Sequence, residues 1–259
     1  MLVVVKENYE EMSKEAARVV SEIVRSKPSA VLGLATGSTP IGLYKELIRM
    51  HKEEGLDFSK VTTFNLDEYI GLPPTHPQSY HYFMYENLFK EINVDERYIN
   101  IPSGMVEFSD INKINKFCDW YEEEIKRAGG IDVQVLGIGA NGHIGFNEPG
   151  SSLGSRTRVK TLTPSTRQDN ARFFDGDVTK VPKYAITMGI GTIMDSRMIV
   201  LLASGKNKAK AIKDTVEGAI TAQVPASIVQ MHRKAIVIVD KEAGSALEGE
   251  FEEFVTEFK

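Results

Sequence analysis

A histidine and a glutamate lie five residues apart in the segment GIGANGHIGFNEPG, which spans Gly137–Gly150. His143 can take up and release a proton near neutral pH, and a carboxylate such as Glu148 can fix the tautomer of its imidazole. Two further acids, Asp67 and Glu68, directly follow an apolar segment. Because adjacent side chains of an extended chain point in different directions, we expect only one of these two to enter a cleft. These residue types indicate proton transfer, with a structural histidine and a turn-capping aspartate as the plain alternatives.

The same glycine-rich segment matches a dinucleotide-binding fingerprint, with its glycines at Gly137, Gly139 and Gly142. That fingerprint needs a helix beginning at its third glycine, because the helix N-terminus receives the pyrophosphate. The residues after Gly142 include two glycines and a proline, which disfavour a helix. We therefore expect these glycines to permit sharp turns close to a small substrate rather than to hold a nucleotide.

A second glycine-containing segment, ATGSTP at residues 35–40, is a candidate phosphate loop. Gly37, Ser38 and Thr39 offer backbone N–H groups and hydroxyls, and the proline suits the start of a helix whose N-terminus would face the loop. The spacing is not that of a Walker loop, and a simple helix cap is the alternative. A basic stretch, Arg156–Arg172, is either a solvated loop or part of a site for a small anion.

Composition narrows the class of protein. The chain has 259 residues and a formal net charge of -5, without a broad basic face, which argues against nucleic acid as a partner. Cys118 is the only cysteine, so an internal disulfide is excluded, and the histidines lack metal-ligand spacing. No apolar segment approaches the ~18 residues of a membrane helix, and none resembles a signal peptide. We expect a soluble, cytoplasmic protein that binds neither membranes nor metal ions.

Short apolar segments alternate with amphipathic ones along the whole chain. Strands are predicted at Leu2–Val5, Ala30–Ala35, Val61–Leu66, Ile131–Gly139, Met198–Ala203 and Ala235–Asp240. Helices are predicted up to about Lys27, from near Pro40, in SYHYFMYENLF, over Asn112–Arg127, after Ala203 and after Asp240. Several strands are continuously apolar, which is typical of parallel strands covered on both faces. The predicted fold is α/β: a doubly wound, mostly parallel sheet with helices on both faces, a Rossmann-like three-layer sandwich formed by a single domain over residues 1–259.

Ligands of such sheets bind beyond the carboxyl ends of the strands, where the polar segments described above are expected to meet. These segments also carry a resemblance to the glucosamine-6-phosphate deaminases, in order over about residues 31–239. It rests on ATGSTP, TFNLDEYIGLP, HPQSYHYFM, NGHIGFNEPGSSLGSRTR, Arg172–Phe174, VPKYAITMGIGTI and SGKNKA. The related 6-phosphogluconolactonases share the fold and the glycine-histidine loop but differ in the segments equivalent to FNLDEY and FNEP. The resemblance implies conversion of glucosamine 6-phosphate and water to fructose 6-phosphate and ammonia, without a cofactor.

The resemblance also implies roles for individual residues. His143, supported by Glu148, would open the sugar ring, and Asp67 would remove the proton from carbon 2. The substrate phosphate would be bound by Thr36, Gly37, Ser38, Thr39, Arg172 and Lys208, and residues 162–183 would form a mobile lid. Some family members carry aspartate where this chain has Asn141. Because asparagine cannot take up a proton as a carboxylate can, we expect Glu148 alone to support the histidine.

Ser151, Arg158 and Lys160 match the site at which allosteric family members bind N-acetylglucosamine 6-phosphate. That site lies at a subunit interface, so the sequence leaves a homo-oligomer open. Two alternatives to the deaminase remain: a phosphosugar lactonase on the same scaffold, and a non-enzymatic phosphosugar sensor. Bacterial sensors with this fold carry an N-terminal DNA-binding domain, and a first strand at Leu2 leaves no room for one.

Overall fold

A seven-stranded parallel sheet lies at the centre of the computed structural model, which describes residues 1–107 and 110–249. Its strand order is β1-β10-β9-β6-β2-β3-β5. The strands of the described residues are β1 Leu2–Lys6, β2 Val31–Leu34, β3 Thr62–Asn65, β4 Asp67–Tyr69, β5 Ile99–Asn100, β6 Val133–Gly137, β7 Arg158–Thr161, β8 Tyr184–Thr187, β9 Ile199–Ala203 and β10 Ala235–Asp240. Every residue of β9 and β10 is buried, as expected for parallel strands covered on both faces.

Helices flank this sheet and complete a three-layer α/β sandwich. The described chain contains α1 Tyr9–Ser26, α2 Ile41–Glu54, α3 Tyr80–Asn87, α4 Ile111–Arg127, α5 Pro164–Asn170, α6 Ile190–Met194 and α7 Ala209–Val216. In helix α1, the sequence determines both where the helix begins and which face is buried. Asn8 caps it by accepting the N–H of Glu11, and its buried face repeats at helical spacing through Met12, Ala16 and Val20. The predicted fold class is confirmed. None of the helices in these ranges is long and apolar enough to cross a membrane.

The order of the strands creates a crevice between β2 and β6. From β2 the chain adds β3 and then β5 on one side, whereas β6, β9 and β10 follow on the other side. Ligands of open α/β sheets bind at such a reversal, beyond the carboxyl ends of the strands. The loop after β2 and the glycine-rich loop after β6 both begin there.

A second sheet of three antiparallel strands, in the order β4-β8-β7, was not predicted. The sequence analysis ended a strand at Leu66 and placed Asp67 just beyond it. In the structure, the N–H of Leu66 still donates to Leu34 of β2, while its carbonyl accepts the N–H of Met188. Leu66 is therefore the link between the two sheets, and Asp67 begins β4, where it pairs with Thr187 of β8.

Three boundaries differ from the predicted ones. Pro40 is the N-cap of α2 rather than its first residue. Residues 162–183, for which no helix was predicted, contain α5, because Thr163 accepts the N–H of Thr166 and Pro164 suits the first turn. After β10, residues 241–249 form turns rather than the predicted helix, and the rest of that prediction lies outside the described residues.

Candidate functional site

A cavity of about 540 Å³ opens at the carboxyl ends of β2 and β6. This volume is typical of pockets that bind small molecules. Segments far apart in sequence line it: the loop after β2, strand β4, the loop after β6, residues 166–174, and the turn before α7. Of the residues singled out from the sequence, Thr36, Gly37, Ser38, Thr39, Asp67, His143, Arg172 and Lys208 line the cavity. Asn141 and Glu148 lie behind His143 instead.

His143, Asn141 and Glu148 form a hydrogen-bonded row behind the cavity wall. Nδ1 of His143 lies 2.7 Å from Oδ1 of Asn141, and Nδ2 of Asn141 donates to Oε2 of Glu148 at 2.9 Å. The direct separation of His143 Nδ1 from Glu148 Oε2 is 3.6 Å. The expectation that Glu148 alone supports the histidine is therefore wrong, because the Asn141 amide connects the two.

These contacts assign the tautomer of His143. The Asn141 amide uses its NH₂ group toward Glu148, so its oxygen faces the imidazole and accepts a hydrogen bond from Nδ1–H. The other ring nitrogen, Nε2, is then unprotonated and free to accept a proton. Burial lowers the pKa of His143, and the charge of Glu148 opposes this effect. The neutral, proton-accepting form consequently persists to lower pH than for an exposed histidine.

Asp67 enters the cavity from β4, and Glu68 does not. Successive side chains of a strand point to opposite faces, so Asp67 and Tyr69 both line the cavity while Glu68 points away. Asp67 is only 5% exposed. Burial raises the pKa of its carboxyl well above the ordinary value, and the neighbouring Glu68 raises it further. Asp67 is therefore a stronger base than an exposed aspartate once it is deprotonated.

Glu68 holds the first turn of α3. Its carboxylate accepts the backbone N–H groups of Tyr69, Tyr80 and His81 at 2.8–2.9 Å. Burial nevertheless raises the pKa of Glu68 to about 7, although these N–H groups lower it. The carboxylate thereby fixes Tyr80, which also lines the cavity.

The glycines of the loop after β6 serve the packing of its own side chains. A Cβ on Gly139 would lie 2.2 Å from Cε1 of His143. Gly145 has a φ of +56°, and a Cβ there would lie 2.9 Å from Oγ1 of Thr187 and 3.4 Å from Oδ2 of Asp67. Gly142 has a φ of +84°, and no helix begins there. The dinucleotide interpretation is thus excluded. The glycines leave room for the side chains of His143, Thr187 and Asp67, which a Cβ at Gly139 or Gly145 would contact too closely.

The loop after β2 presents unused hydrogen-bond donors to the cavity. Within the ranges that the structure describes, the backbone N–H groups of Gly37, Ser38 and Thr39 have no acceptor. The hydroxyl of Tyr9 fixes this loop from behind, because it donates to the carbonyls of Ser38 and Thr39 and accepts the N–H of Gly42. Free N–H groups ahead of a helix N-terminus suit a phosphate.

Two cations, Arg172 and Lys208, also line the cavity. Neither Arg172 nor Lys208 forms an ion pair with a carboxylate in the described part of the chain. Burial lowers the pKa of Lys208, and the charge of Arg172 lowers it further. The guanidinium of Arg172 stacks over the Phe173 ring, 4.7 Å from its centroid. Asp240 fixes the turn before α7 by accepting from Ser204 at 2.5 Å and from the N–H of Gly205.

Two other basic residues of Arg156–Arg172 make structural contacts. Arg156 pairs with Glu122 and Asp195, and Arg167 donates to the backbone carbonyls of Val178 and Val181. Arg158 and Lys160 lie on one side of β7, outside the cavity lining. Burial lowers the pKa of both groups, and the charge of Arg158 lowers that of Lys160 further. The hydroxyl of Ser151, the third residue matched to the activator site, is buried and has no hydrogen-bond partner among the described residues.

Some residues of the site were missed from the sequence. Tyr9 was missed because it contacts a loop about 30 residues later in the chain, and Thr166 because its acceptor Glu148 lies 18 residues earlier. Tyr80 and Asp240 could have been found from the sequence. Tyr80 lies in HPQSYHYFM, a segment that carries the family resemblance, and Asp240 is the polar residue at the end of an apolar strand. No cluster of three or more His, Cys, Asp or Glu side chains able to hold a metal ion occurs in residues 1–107 or 110–249.

Comparison with known proteins identifies the class to which this fold and site belong. Residues 5–238 match the model of the glucosamine-6-phosphate isomerases/6-phosphogluconolactonase family. The chain belongs to this family of sugar phosphate enzymes. Within it, a glucosamine-6-phosphate deaminase from Thermoanaerobacter sp. (strain X514) is 55% identical over 96% of this chain and 96% of its own.

Solved structures separate the two branches of the family. A monomeric glucosamine-6-phosphate deaminase has a TM-score of 0.91 and 47% identity, over 95% of this chain and 100% of that one. The 6-phosphogluconolactonase from Trypanosoma cruzi has a TM-score of 0.74 and 23% identity, over 96% and 97%. The lactonase shares the fold, whereas the deaminases also share about half of the sequence.

Proposed function

We propose that this chain is a glucosamine-6-phosphate deaminase, which converts glucosamine 6-phosphate and water to fructose 6-phosphate and ammonia. One observation carries the proposal: an imidazole and a buried carboxylate share a cavity with a set of free anion-binding groups. The near full-length similarity to deaminases supports it over the lactonase alternative. Because the reaction consumes water and needs no redox step, the enzyme is a hydrolase that acts without a cofactor.

The first step is the opening of the pyranose ring at His143. Nε2 takes the proton from the hydroxyl on carbon 1 and returns it to the ring oxygen as the bond between carbon 1 and that oxygen breaks. The Nδ1 proton stays on the ring, held by Asn141, whose amide is in turn held by Glu148. A proton shuttle of this kind contributes roughly 10²–10⁴-fold to the rate.

The second step is the removal of the proton from carbon 2 by Asp67. The electron pair moves into a bond between carbons 1 and 2, and the carbonyl oxygen on carbon 1 takes a proton from water to become a hydroxyl, which leaves an enolamine. Asp67 then returns the proton it removed, now to carbon 1, which converts the enolamine to an imine at carbon 2. Water adds to this imine and ammonia leaves, so that a ketone remains at carbon 2. The raised pKa of Asp67 supports its assignment as the base.

The substrate phosphate is bound between the loop after β2 and the two cations. The free N–H groups of Gly37, Ser38 and Thr39 donate to its oxygens, and Arg172 and Lys208 neutralise its charge. Thr36 shares a side-chain hydrogen bond with Tyr80 and belongs to the same wall.

Residues 162–183 form a lid over this cavity, as part of one α/β domain of residues 1–259. Arg172 and Phe173 belong to this segment and line the cavity, so lid movement would change phosphate access. The free, buried thiol of Cys118 suits the reducing environment of the cytoplasm, where we place this enzyme.

Ser151, Arg158 and Lys160 form a second anion site, for N-acetylglucosamine 6-phosphate as an activator. The pair of cations with lowered pKa values and the unpartnered serine hydroxyl support this assignment. Activation would require a homo-oligomer, whereas the solved deaminase relative is monomeric. Sedimentation and kinetics with and without the activator test both points together.

Ammonia release from glucosamine 6-phosphate tests the proposed activity directly. The same preparation is assayed for hydrolysis of 6-phosphogluconolactone. We expect ammonia in the first assay and no hydrolysis above the spontaneous rate in the second. The reverse pattern would establish the lactonase, and binding of phosphosugars without either reaction would establish a sensor.

A further inference from the structure

Helix α5 of the lid contacts the hydrogen-bonded row behind His143. The side chain of Thr166 is buried, and its hydroxyl donates to Oε1 of Glu148. The other oxygen of that carboxylate accepts from Asn141. Glu148 is thus held from two sides, by an amide of its own loop and by a hydroxyl of the lid.

The hydroxyl of Thr166 is oriented by the N-cap of its own helix. Oγ1 of Thr163 accepts the backbone N–H of Thr166 at 3.1 Å and donates to Oγ1 of Thr166 at 3.2 Å. Because the Thr166 oxygen receives this hydrogen bond, its own hydrogen is available for Glu148. The N-cap residue Thr163 therefore orients the Thr166 hydroxyl so that it donates to the Glu148 carboxylate.

One turn later, the same helix makes a second hydrogen bond into the site. Nδ2 of Asn170 donates to the hydroxyl of Tyr69 at 2.8 Å, and Tyr69 lies two residues after Asp67 in β4. Side-chain hydrogen bonds continue from Tyr69 to Tyr80 and from Tyr80 to Thr36. Helix α5 is therefore anchored at two points of one face, through Thr166 and Asn170.

We propose that Thr166 is a positioning residue, which holds Glu148 and thereby aligns Asn141 and His143 when α5 is docked. This inference rests on the proposed function, because it assigns a lid residue a role in the proton transfer at His143. When α5 moves away, Glu148 loses a donor and the Asn141 amide loses its fixed acceptor. Nδ1 of His143 then has no oriented partner, so the element that covers the cavity also assembles the proton shuttle.

Three substitutions test this role. Thr166→Val keeps the shape of the side chain and removes the hydroxyl, whereas Thr166→Ser keeps the hydroxyl. Thr179→Val is the matched control, because Thr179 is an exposed lid threonine whose hydroxyl donates to Asp177, away from the cavity. We expect kcat to fall roughly 10–100-fold in Thr166→Val, as for other outer-shell partners, with KM changed less than about threefold. Thr166→Ser and Thr179→Val should stay close to the wild type.

The titration of His143, followed by NMR of its ring, gives a readout that does not depend on turnover. The charged groups that act on this ring are Glu148 in its own loop, Asp169 on α5 and Lys208 before α7. Release of Glu148 removes the main charge that favours the imidazolium, so the titration should move to lower pH in Thr166→Val only. A general loss of folding would not produce this selective shift.

The outcomes separate the inference from the proposed function. An inactive wild type overturns the deaminase assignment, while the His143 titration still tests the link to Thr166. If kcat and the titration are unchanged in Thr166→Val, or if Thr166→Ser is equally impaired, the hydroxyl does not position Glu148. Should Thr166→Val fail to fold, Thr166→Cys, with similar volume and a weak donor, replaces it.

Discussion

The amide oxygen of Asn141 lies 2.7 Å from Nδ1 of His143, and this contact decides which ring nitrogen can act on a substrate. Asn141 does not adopt a left-handed backbone conformation, because Asp175 is the only non-glycine residue with positive φ in the described ranges. The neutral Asn141 amide instead links the two groups, because it donates to Glu148 and accepts from the imidazole.

Asn141→Asp should move the acidic limb of the pH–rate profile to higher pH. The new carboxylate would stabilise the imidazolium and raise the pKa of His143, so the neutral form would be lost at a higher pH. Because the introduced carboxylate would also face Glu148, the two acids would share a proton at low pH, which limits the shift. The profile of kcat is measured at saturating substrate. An unmoved acidic limb with full activity would remove position 141 from the proton transfer.

Asp67→Asn should retain substrate binding and lose catalysis at carbon 2. The amide has nearly the same shape but cannot take up the proton, so exchange of the carbon-2 hydrogen with deuterated water should fall by at least roughly 10²-fold. Exchange is followed by NMR, and binding by calorimetry. Exchange at the wild-type rate would show that another group is the base.

Arg172→Ala should weaken binding of the phosphorylated sugar selectively. Loss of charged hydrogen bonds to the phosphate should raise KM for glucosamine 6-phosphate roughly ten- to hundredfold. Unphosphorylated glucosamine should be affected little, and Arg233→Ala, at an exposed arginine outside the cavity, is the control. Equal losses for both sugars would assign Arg172 a different role.

Stability should fall as the pH rises from about 4.5 to about 7, in part because of Glu68. Its pKa is raised to about 7 in the folded state, so the native protein binds more protons than the unfolded chain in this window. The contribution is on the order of 3 kcal/mol at most. Urea unfolding across this range should give a flatter pH dependence for Glu68→Gln, and the exposed Glu10→Gln should match the wild type. Asp67→Asn should also flatten it, since the pKa of Asp67 is raised too. If the free energy of unfolding of Glu68→Gln changes with pH as steeply as that of the wild type, a group other than Glu68 causes the dependence.

Ammonia release should survive exhaustive chelation. The proposed steps use only proton transfers among His143, Asp67 and water, and the described residues hold no metal-binding cluster. Activity is measured before and after dialysis against a chelator, then with zinc or magnesium restored. A loss that either ion reverses would contradict the mechanism.

Local patterns in the sequence determined the main sheet and the residue types of the site. The fully apolar segments that became β9 and β10 required cover on both faces, which is a property of parallel sheets. The reversal of strand order at β2 and β6 then brought their polar loops to one crevice, as the architecture demands. For this reason Gly37, His143 and Lys208 could be placed near one another without coordinates.

Tertiary structure alone decided how these side chains cooperate. Asp67 enters the cavity because β4 pairs with the distant β8, and pairing between remote segments leaves no periodic signal near either one. The order Glu148–Asn141–His143 depends on side-chain directions within an irregular loop, and the sequence analysis, which singled out Asn141, expected Glu148 alone to support His143. Thr166 reaches Glu148 only once α5 packs against the loop. Sequence periodicity reports which face of an element is buried, but hydrogen bonds between loops depend on three-dimensional packing.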